Sequence, residues 1–332
     1  MQTKGNKAMS ELFKKIDERS KLAGTNKLEV LLFSLGSDER TGRRETFGVN
    51  VFKVREVMRV PPITAAPEMP AAVEGMVSLR GNLVPVMDLV KYVGVQTENK
   101  PEIMIVTEYN QHIQGFLVEA VDTILRLDWS AMHVPPDMLN DQMGGLVTAV
   151  TELADKRLVM MVDMEKILSE TTKYDDTQLF QAIRPVSVTD NKTYTVFYAD
   201  DSSTARKQIE RTLNALNVGA RFATNGKQAW EELQLAADEA EGRGEKVKDS
   251  IQLVLTDVEM PEMDGYVLTK NIKGDPRFAD IPVLMYSSLS SVNERLGHAM
   301  GVDAYVSKLQ PQKLAEAITH FLKLDTGKTA AI

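Results

Sequence analysis

Three acids, a hydroxyl and an amine in the second half of this 332-residue chain sit where apolar runs end. Asp200 and Asp201 follow Thr195–Ala199, Asp257 follows Ile251–Thr256, Ser287 follows Ile281–Tyr286, and Lys308 comes just after Ala304–Val306. If each run is a strand of one parallel sheet, all five converge on the crevice at the strands' carboxyl ends, where such sheets bind ligands. Three carboxylates that close repel one another unless a cation neutralises them or one takes up a proton. Mg²⁺ suits them, because it takes oxygen ligands and keeps several waters. Such a metal could accept a phosphoryl oxygen while one carboxylate acts as nucleophile. Asp257 is the leading nucleophile, since Met260-Pro261 and Asp264-Gly265 shape the loop that follows it. Ser287 can then donate to a second phosphoryl oxygen, and Lys308 brings positive charge to a third.

The elements around these residues alternate. Thr195–Ala199 reads as a strand and Thr204–Leu216 as a helix with Ile209, Leu213 and Leu216 on one side. Ala220–Thr224 is a short strand, Lys227–Glu239 a helix and Glu241–Asp249 a charged, glycine-containing loop. Ile251–Thr256 is continuously apolar, as expected of a strand covered on both faces. Gly265–Lys273 is helical, Ile281–Tyr286 a strand, Val292–Met300 a helix, Ala304–Val306 a strand and Pro311–Leu324 the last helix. This is a (βα)5 pattern, an α/β doubly wound parallel sheet.

The first half has a different grammar. Met9, Leu12, Phe13 and Ile16 fall on one face of an amphipathic helix over residues 8–22. From Leu28 to about Leu168 the pattern is all-β. Short apolar runs alternate with polar turns, including Arg80-Gly81-Asn82 between Met76–Leu79 and Leu83–Met87, as in barrels or sandwiches. Pro85 has no N–H for a ladder, which predicts an edge or interrupted strand there. A faint repeat relates Val84–Tyr92 to Val159–Ile167, each a strand, an aspartate and a helical turn. Asp88 and Asp163 are therefore read as helix N-caps in preference to a catalytic pair. Residues 171–193 turn polar. The predicted division is a helix and tail over 1–27, a β domain over 28–170, a linker over 171–193, an α/β domain over 194–325 and a tail over 326–332.

Composition narrows the function. The sequence has no cysteine, which excludes disulfides, thiolate metal sites and thiol catalysis. Its four histidines, His112, His133, His298 and His320, show no metal-ligand spacing. The formal net charge is −8 and no basic cluster is longer than the Arg43-Arg44 pair, so nucleic acid is not an expected partner. Met1 to Lys15 has neither the apolar core nor the cleavage site of a secretory signal, and no window approaches the roughly 18 apolar residues of a spanning helix. The expectation is a soluble cytoplasmic protein with no membrane insertion.

Asp200-Asp201, the stretch Leu255 to Gly265, Ser287 and Tyr305-Val306-Ser307-Lys308 together resemble the receiver domain of two-component response regulators, over roughly 193–325. The resemblance implies aspartyl phosphorylation at Asp257. It also implies Mg²⁺ held by Asp201, Asp257 and the backbone carbonyl of Glu259, with Asp200 acting mostly through water. Tyr305 matches the aromatic whose orientation follows phosphorylation. The sequence departs from the family pattern at Leu309, where a proline usually follows the lysine, and it carries an acid at Glu259. Inert receivers usually lose the nucleophile, an acid-pair member or the lysine; all are present here.

Gly48 to Val57, Pro61 to Pro70 and Val73 to Leu89 resemble the CheW-like coupling domain of bacterial chemotaxis, and the likeness extends more weakly to Asp163. The resemblance implies two SH3-like five-stranded barrels that bind chemoreceptor tips and the histidine kinase CheA. Val51, Val54, Glu56 and Arg80 match partner-contact positions; core packing explains Val51 and Val54 equally well. A CheW-like domain followed by a receiver resembles the arrangement of CheV-type coupling proteins. That implies an adaptor between methyl-accepting chemoreceptors and CheA, in arrays that also hold CheW, regulated by phosphorylation from CheA. It is not an enzyme beyond its own aspartyl phosphorylation and dephosphorylation. The alternatives are a phosphate sink for CheA and a constitutive scaffold with a silent receiver.

Overall fold

The protein's structure, a computed structural model, describes residues 26–37, 42–65, 69–70, 72–97, 99–109, 112–171, 180, 183–186, 193–288, 301–308 and 310–324. The predicted helices over 8–22 and 292–300, most of the linker, Leu309 and the tail over 326–332 lie outside them. Fifteen strands among the described residues form three five-stranded sheets, and the chain divides into two compact units around Lys27–Thr171 and Thr172–Ile332. No helix among the described residues is long and apolar enough to cross a membrane.

The first unit holds β1 (Lys27–Ser34), β2 (Thr46–Asn50), β3 (Val54–Arg59), β4 (Val73–Leu79), β5 (Asn82–Asp88), β6 (Ile103–Tyr109), β7 (His112–Val118), β8 (Ala120–Asp128), β9 (Val147–Glu152) and β10 (Leu158–Val162). One sheet runs β8-β1-β2-β10-β9 and the other β3-β6-β7-β5-β4. Each is closed in the same way. The chain leaving β3 comes round so that Thr64 exchanges two 2.9 Å backbone bonds with Met76 of β4. The chain leaving β8 does likewise, His133 exchanging two 2.8 Å bonds with Val150 of β9. The result is the expected pair of five-stranded barrels, with closure consuming the edges that an open sheet would expose.

The faint repeat is the trace of this duplication. β5 runs parallel to β7 and β10 parallel to β2, with Val86 opposite Gly115 and Met161 opposite Gly48. Both glycines leave room for neighbouring side chains. A Cβ on Gly48 would lie 2.6 Å from Val30 and 2.9 Å from the Met161 sulfur, and one on Gly115 2.7 Å from the Met104 sulfur. Pro85 corrects the edge-strand half of its expectation, since β5 lies inside its sheet, between β7 and β4. The strand tolerates it because the ladder to β7 begins one residue later, at Val86, and because the backbone groups of its β4 partner Met76 are turned to Thr64.

The second unit holds β11 (Thr195–Ala199), β12 (Gly219–Ala223), β13 (Leu253–Thr256), β14 (Val283–Ser287) and β15 (Ala304–Ser307), all parallel in the order β12-β11-β13-β14-β15. Alternate residues of β11 enter opposite cores. Val196 and Tyr198 meet Ile209, Leu213, Leu314 and Ile318 of the helices Ser203–Leu216 and Pro311–Leu322, whereas Phe197 and Ala199 meet Leu233 and Leu268 of Gly226–Gly242 and Gly265–Gly274. The order reverses at β11, which places the crevice between the ends of β11 and β13.

Two expectations change here. The helix predicted to stop at Glu239 runs to Gly242, and Val247–Ser250 is a helical turn with Val247 buried; Ala236, Ala237 and Ala240 supply the apolar face that charge hides in the sequence. Within the predicted linker, Ile183 and Val186 are buried in the second unit, the Val186 amide donates to the Leu216 carbonyl at 3.2 Å, and Arg211 stacks 3.9 Å from the Phe180 ring centre. Three apolar residues spaced by three are enough to dock a stretch that reads as polar.

Candidate functional site

Strand ends deliver the predicted residues to one place. β11 ends at Ala199, so Asp200 and Asp201 begin the turn into the Ser203–Leu216 helix, which Ser202 caps by accepting from the Ala205 amide at 3.3 Å. Asp257 is held by its own amide, which donates to the Ala199 carbonyl at 2.8 Å. Asp200, Asp201 and Asp257 each aim a carboxylate oxygen into one cluster, with those atoms within 4.8 Å of one another. Lys308 reaches in from the end of β15, its Nζ 2.9 Å from Asp200 and 3.0 Å from Asp257. The Lys308 backbone is tied to β14 by a 3.1 Å bond from its amide to the Ser287 carbonyl, and Ser287 itself is buried.

The electrostatics follow from burial. Asp200 is 0% exposed, Asp257 4% and Lys308 1%, so the charges face one another with little water between them. Asp200 spends both oxygens, one on Lys308 and the other accepting from the Ser202 amide at 2.9 Å. Asp257 takes Lys308 on one oxygen and the Val258 amide, at 2.7 Å, on the other. One ammonium among three carboxylates leaves an excess of negative charge, and an all-oxygen set of this kind suits a hard divalent cation.

The loop after Asp257 is drawn tight. Gly265 donates to the Val258 carbonyl at 2.9 Å, Asp264 caps the following helix by accepting from Val267 at 2.7 Å, and Glu259 is buried. A Cβ on Gly265 would lie 1.9 Å from the Asp257 carbonyl oxygen, so the helix can begin this close only with glycine. Tyr305 packs on Val258, Tyr266, Met285 and Val302 and donates a 3.0 Å hydrogen bond to the Tyr266 hydroxyl. Burial above all pushes the Tyr266 phenol up to about 12. Tyr266 was not singled out from the sequence; its position directly after Asp264-Gly265, on the face toward β15, was the available signal.

The coupling-side candidates separate. Val51 and Val54 are each 2% exposed and packed in the barrel core with Val57, Met87 and Ile105, in keeping with the core-packing alternative of their two readings. The one-turn helix Val51–Lys53 turns them inward as the chain crosses from β2 to β3. Glu56 is also largely buried and pairs with Arg80 at 2.8 Å, whereas the Arg80 side chain is 68% exposed. Arg80 and Gly81 both have positive φ, 51° and 85°, the geometry of a two-residue hairpin turn. The pair ties β3 to the β4–β5 turn, across the barrel's closure. Asp88 and Asp163 are caps: Asp88 accepts from Val90 and Lys91 at 2.9 and 3.2 Å, and Asp163 from Glu165 and Lys166 at 3.0 Å each.

Residues 29–172 match the CheW-like domain family and residues 196–319 the response regulator receiver domain family. Two closed barrels and a parallel five-stranded sheet with an acid cluster, matched in this order, define a chemotaxis coupling adaptor with a receiver attached. Chemotaxis protein CheV3 of Helicobacter pylori is 28% identical over 305 residues, covering 90% of this chain and 95% of that protein. Chemotaxis protein CheV1 of the same organism is 26% identical over 334 residues, covering 95% and 100%. Chemotaxis protein CheW of Klebsiella aerogenes is 31% identical over 154 residues, covering 45% and 87%. The chain belongs to the CheV-type family of chemotaxis coupling proteins, a CheW-like domain followed by a receiver.

Proposed function

We propose that this adaptor couples chemoreceptors to the histidine kinase CheA and that phosphorylation of Asp257 by CheA changes the coupling. The observation that carries the reading is the convergence of Lys308 on two buried carboxylates, Asp200 and Asp257, beside a third. Asp201, Asp257 and the Glu259 backbone carbonyl would hold Mg²⁺ directly and Asp200 mostly through water, the division that the receiver resemblance implies for these three clustered acids. When bound, the ion supplies the positive charge that lets a phosphoryl group approach an anionic nucleophile. An Asp257 oxygen attacks phosphorus, the oxygen–phosphorus bond forms as the phosphohistidine nitrogen–phosphorus bond breaks, and the imidazole leaves with the bonding pair. Lys308 meets one phosphoryl oxygen and the Ser287 hydroxyl another.

Ser287 and Tyr305 lie on neighbouring strands, so a hydroxyl drawn to the phosphoryl group alters the space into which Tyr305 packs. Phosphorylation would then be read at the surface around Tyr305 and β15. In the coupling domain, Arg80 is the candidate partner contact and Glu56 its support.

The test mixes purified CheA, labelled ATP, Mg²⁺ and the full chain, beside Asp257→Asn, and follows label transfer and binding to receptor–kinase arrays. The reading predicts labelling that the variant abolishes and coupling that shifts on phosphorylation. Labelling with unchanged coupling would replace it with the phosphate sink, and no labelling of the wild type would leave the constitutive scaffold.

A further inference from the structure

Arg206 lies in the first turn of the helix Ser203–Leu216, where a cation meets the unfavourable end of the helix dipole. The helix does not need it as a cap, because the Ser202 hydroxyl takes the Ala205 amide and the Ser202 carbonyl takes the Arg206 amide at 3.0 Å. Its side chain turns back instead. A single guanidinium nitrogen, Nη1, donates to the Asp200 carbonyl at 2.7 Å and to the Asp201 carbonyl at 2.9 Å. Those carbonyls belong to adjacent peptide planes just past the end of β11, where the ladders to β12 and β13 last pair at Ala199.

We propose that Arg206 is a positioning residue for the acid pair, bridging the two carbonyls so that Asp200 and Asp201 project together toward Asp257. The inference rests on the reading of the cluster as an Mg²⁺ site. The Asp200 carboxylate is already fixed by Lys308 and the Ser202 amide, at 2.9 Å each. Asp201 is the less buried member of the cluster, and its direction follows the peptide that Arg206 holds. Turning that peptide would swing its carboxylate out of a group whose oxygens lie within 4.8 Å of one another.

Positioning and charge make opposite predictions. Arg206 also brings positive charge near an acidic site, so through charge alone its removal would tighten cation binding. As a clamp, its loss weakens binding, and lysine is a poor substitute, because the two N–H bonds of Nη1 are fixed in the guanidinium plane, whereas an ammonium turns freely on a shorter, flexible stem. The experiment titrates Mg²⁺ into the metal-free full chain by calorimetry, for wild type, Arg206→Gln, Arg206→Lys and Lys207→Gln. Lys207 is exposed and removes the same charge one residue away. Both Arg206 variants are expected to bind Mg²⁺ roughly tenfold more weakly, as when other outer-shell supports of a metal site are lost, with Lys207→Gln near wild type. Amide exchange of the metal-free protein should also quicken at Asp201 and Ser202 in both variants. Unchanged or tighter binding in Arg206→Gln, or full affinity in the folded Arg206→Lys protein, overturns the clamp. A wild type that binds no Mg²⁺ overturns the underlying site reading as well.

Discussion

Asp88 and Asp163 in the coupling unit and Asp200 and Asp257 in the receiver are all buried aspartates at the end of a strand, and they end in different chemistry. Each of the first two commits one oxygen to two amides of a helix start. The other two arrive from neighbouring strands, share one lysine and lie beside a third carboxylate. Strand, aspartate and turn describe all four, so the local pattern does not separate a cap from a reactive group. Convergence does: a buried carboxylate at a helix start is satisfied by backbone N–H groups, whereas three brought together need a cation that can come and go.

The largest expected effect breaks the convergent side. Lys308→Ala leaves two buried carboxylates without their ammonium, and removing one partner of a buried pair costs about 3–5 kcal/mol. Urea unfolding of the metal-free chain should show that loss in the receiver transition, partly recovered by Mg²⁺; an unchanged midpoint would mean that the acids do not depend on Lys308. Next comes Gly265→Ala, whose Cβ would fall 1.9 Å from the Asp257 carbonyl. Backbone on both sides must move, at a cost of about 1–3 kcal/mol or more, and label transfer should fall with stability.

The capping side should respond more mildly. Asp88→Ala is expected to cost about 1 kcal/mol in the coupling-unit transition, because the Val90 and Lys91 amides lose their acceptor. Asp88→Asn tests the charge separately. Burial, opposed by those two amides, holds the Asp88 carboxyl above its usual range. A folded pKa above the unfolded value means stability that is full below the unfolded pKa and lost as pH rises through the folded one. Asparagine should therefore match or exceed the wild type at neutral pH, and the gap should close on acidification. A cap whose charge is essential would give the reverse.

The smallest effect is absent at neutral pH. Burial is the leading cause that pushes the Tyr198 and Tyr266 phenols up to about 12. The same sign applies: their contribution is complete below about pH 10, the ordinary tyrosine value, and is lost as pH climbs through 12. Phenolate absorbance from these two should rise only as the receiver unfolds, and early ionisation in the folded protein would contradict their packing.

Much of this was legible in the sequence because the information was local. Strand ends are marked by where an apolar run stops, so Asp200, Asp201, Asp257, Ser287 and Lys308 could be placed before any fold was known. Barrel closure through Thr64 and His133 was not legible, since each bridge joins segments by backbone alone. Val51 and Val54 show that a β-branched residue in a matched contact segment carries no mark of which way it faces. Arg206 and Tyr266 act through side chains that leave their own helices for carbonyls or a hydroxyl elsewhere, and neither helical period nor strand alternation reports such a reach.

The central claim is that the acid cluster takes a phosphoryl group on Asp257. The most direct measurement incubates the full chain with Mg²⁺ and phosphorylated CheA, traps the acyl phosphate by borohydride reduction and maps the modified residue by peptide mass spectrometry. The account predicts reduction at Asp257 alone, lost when Mg²⁺ is chelated. Modification at another acid, or an unmodified Asp257 beside a kinase that still phosphorylates a control receiver, would contradict it.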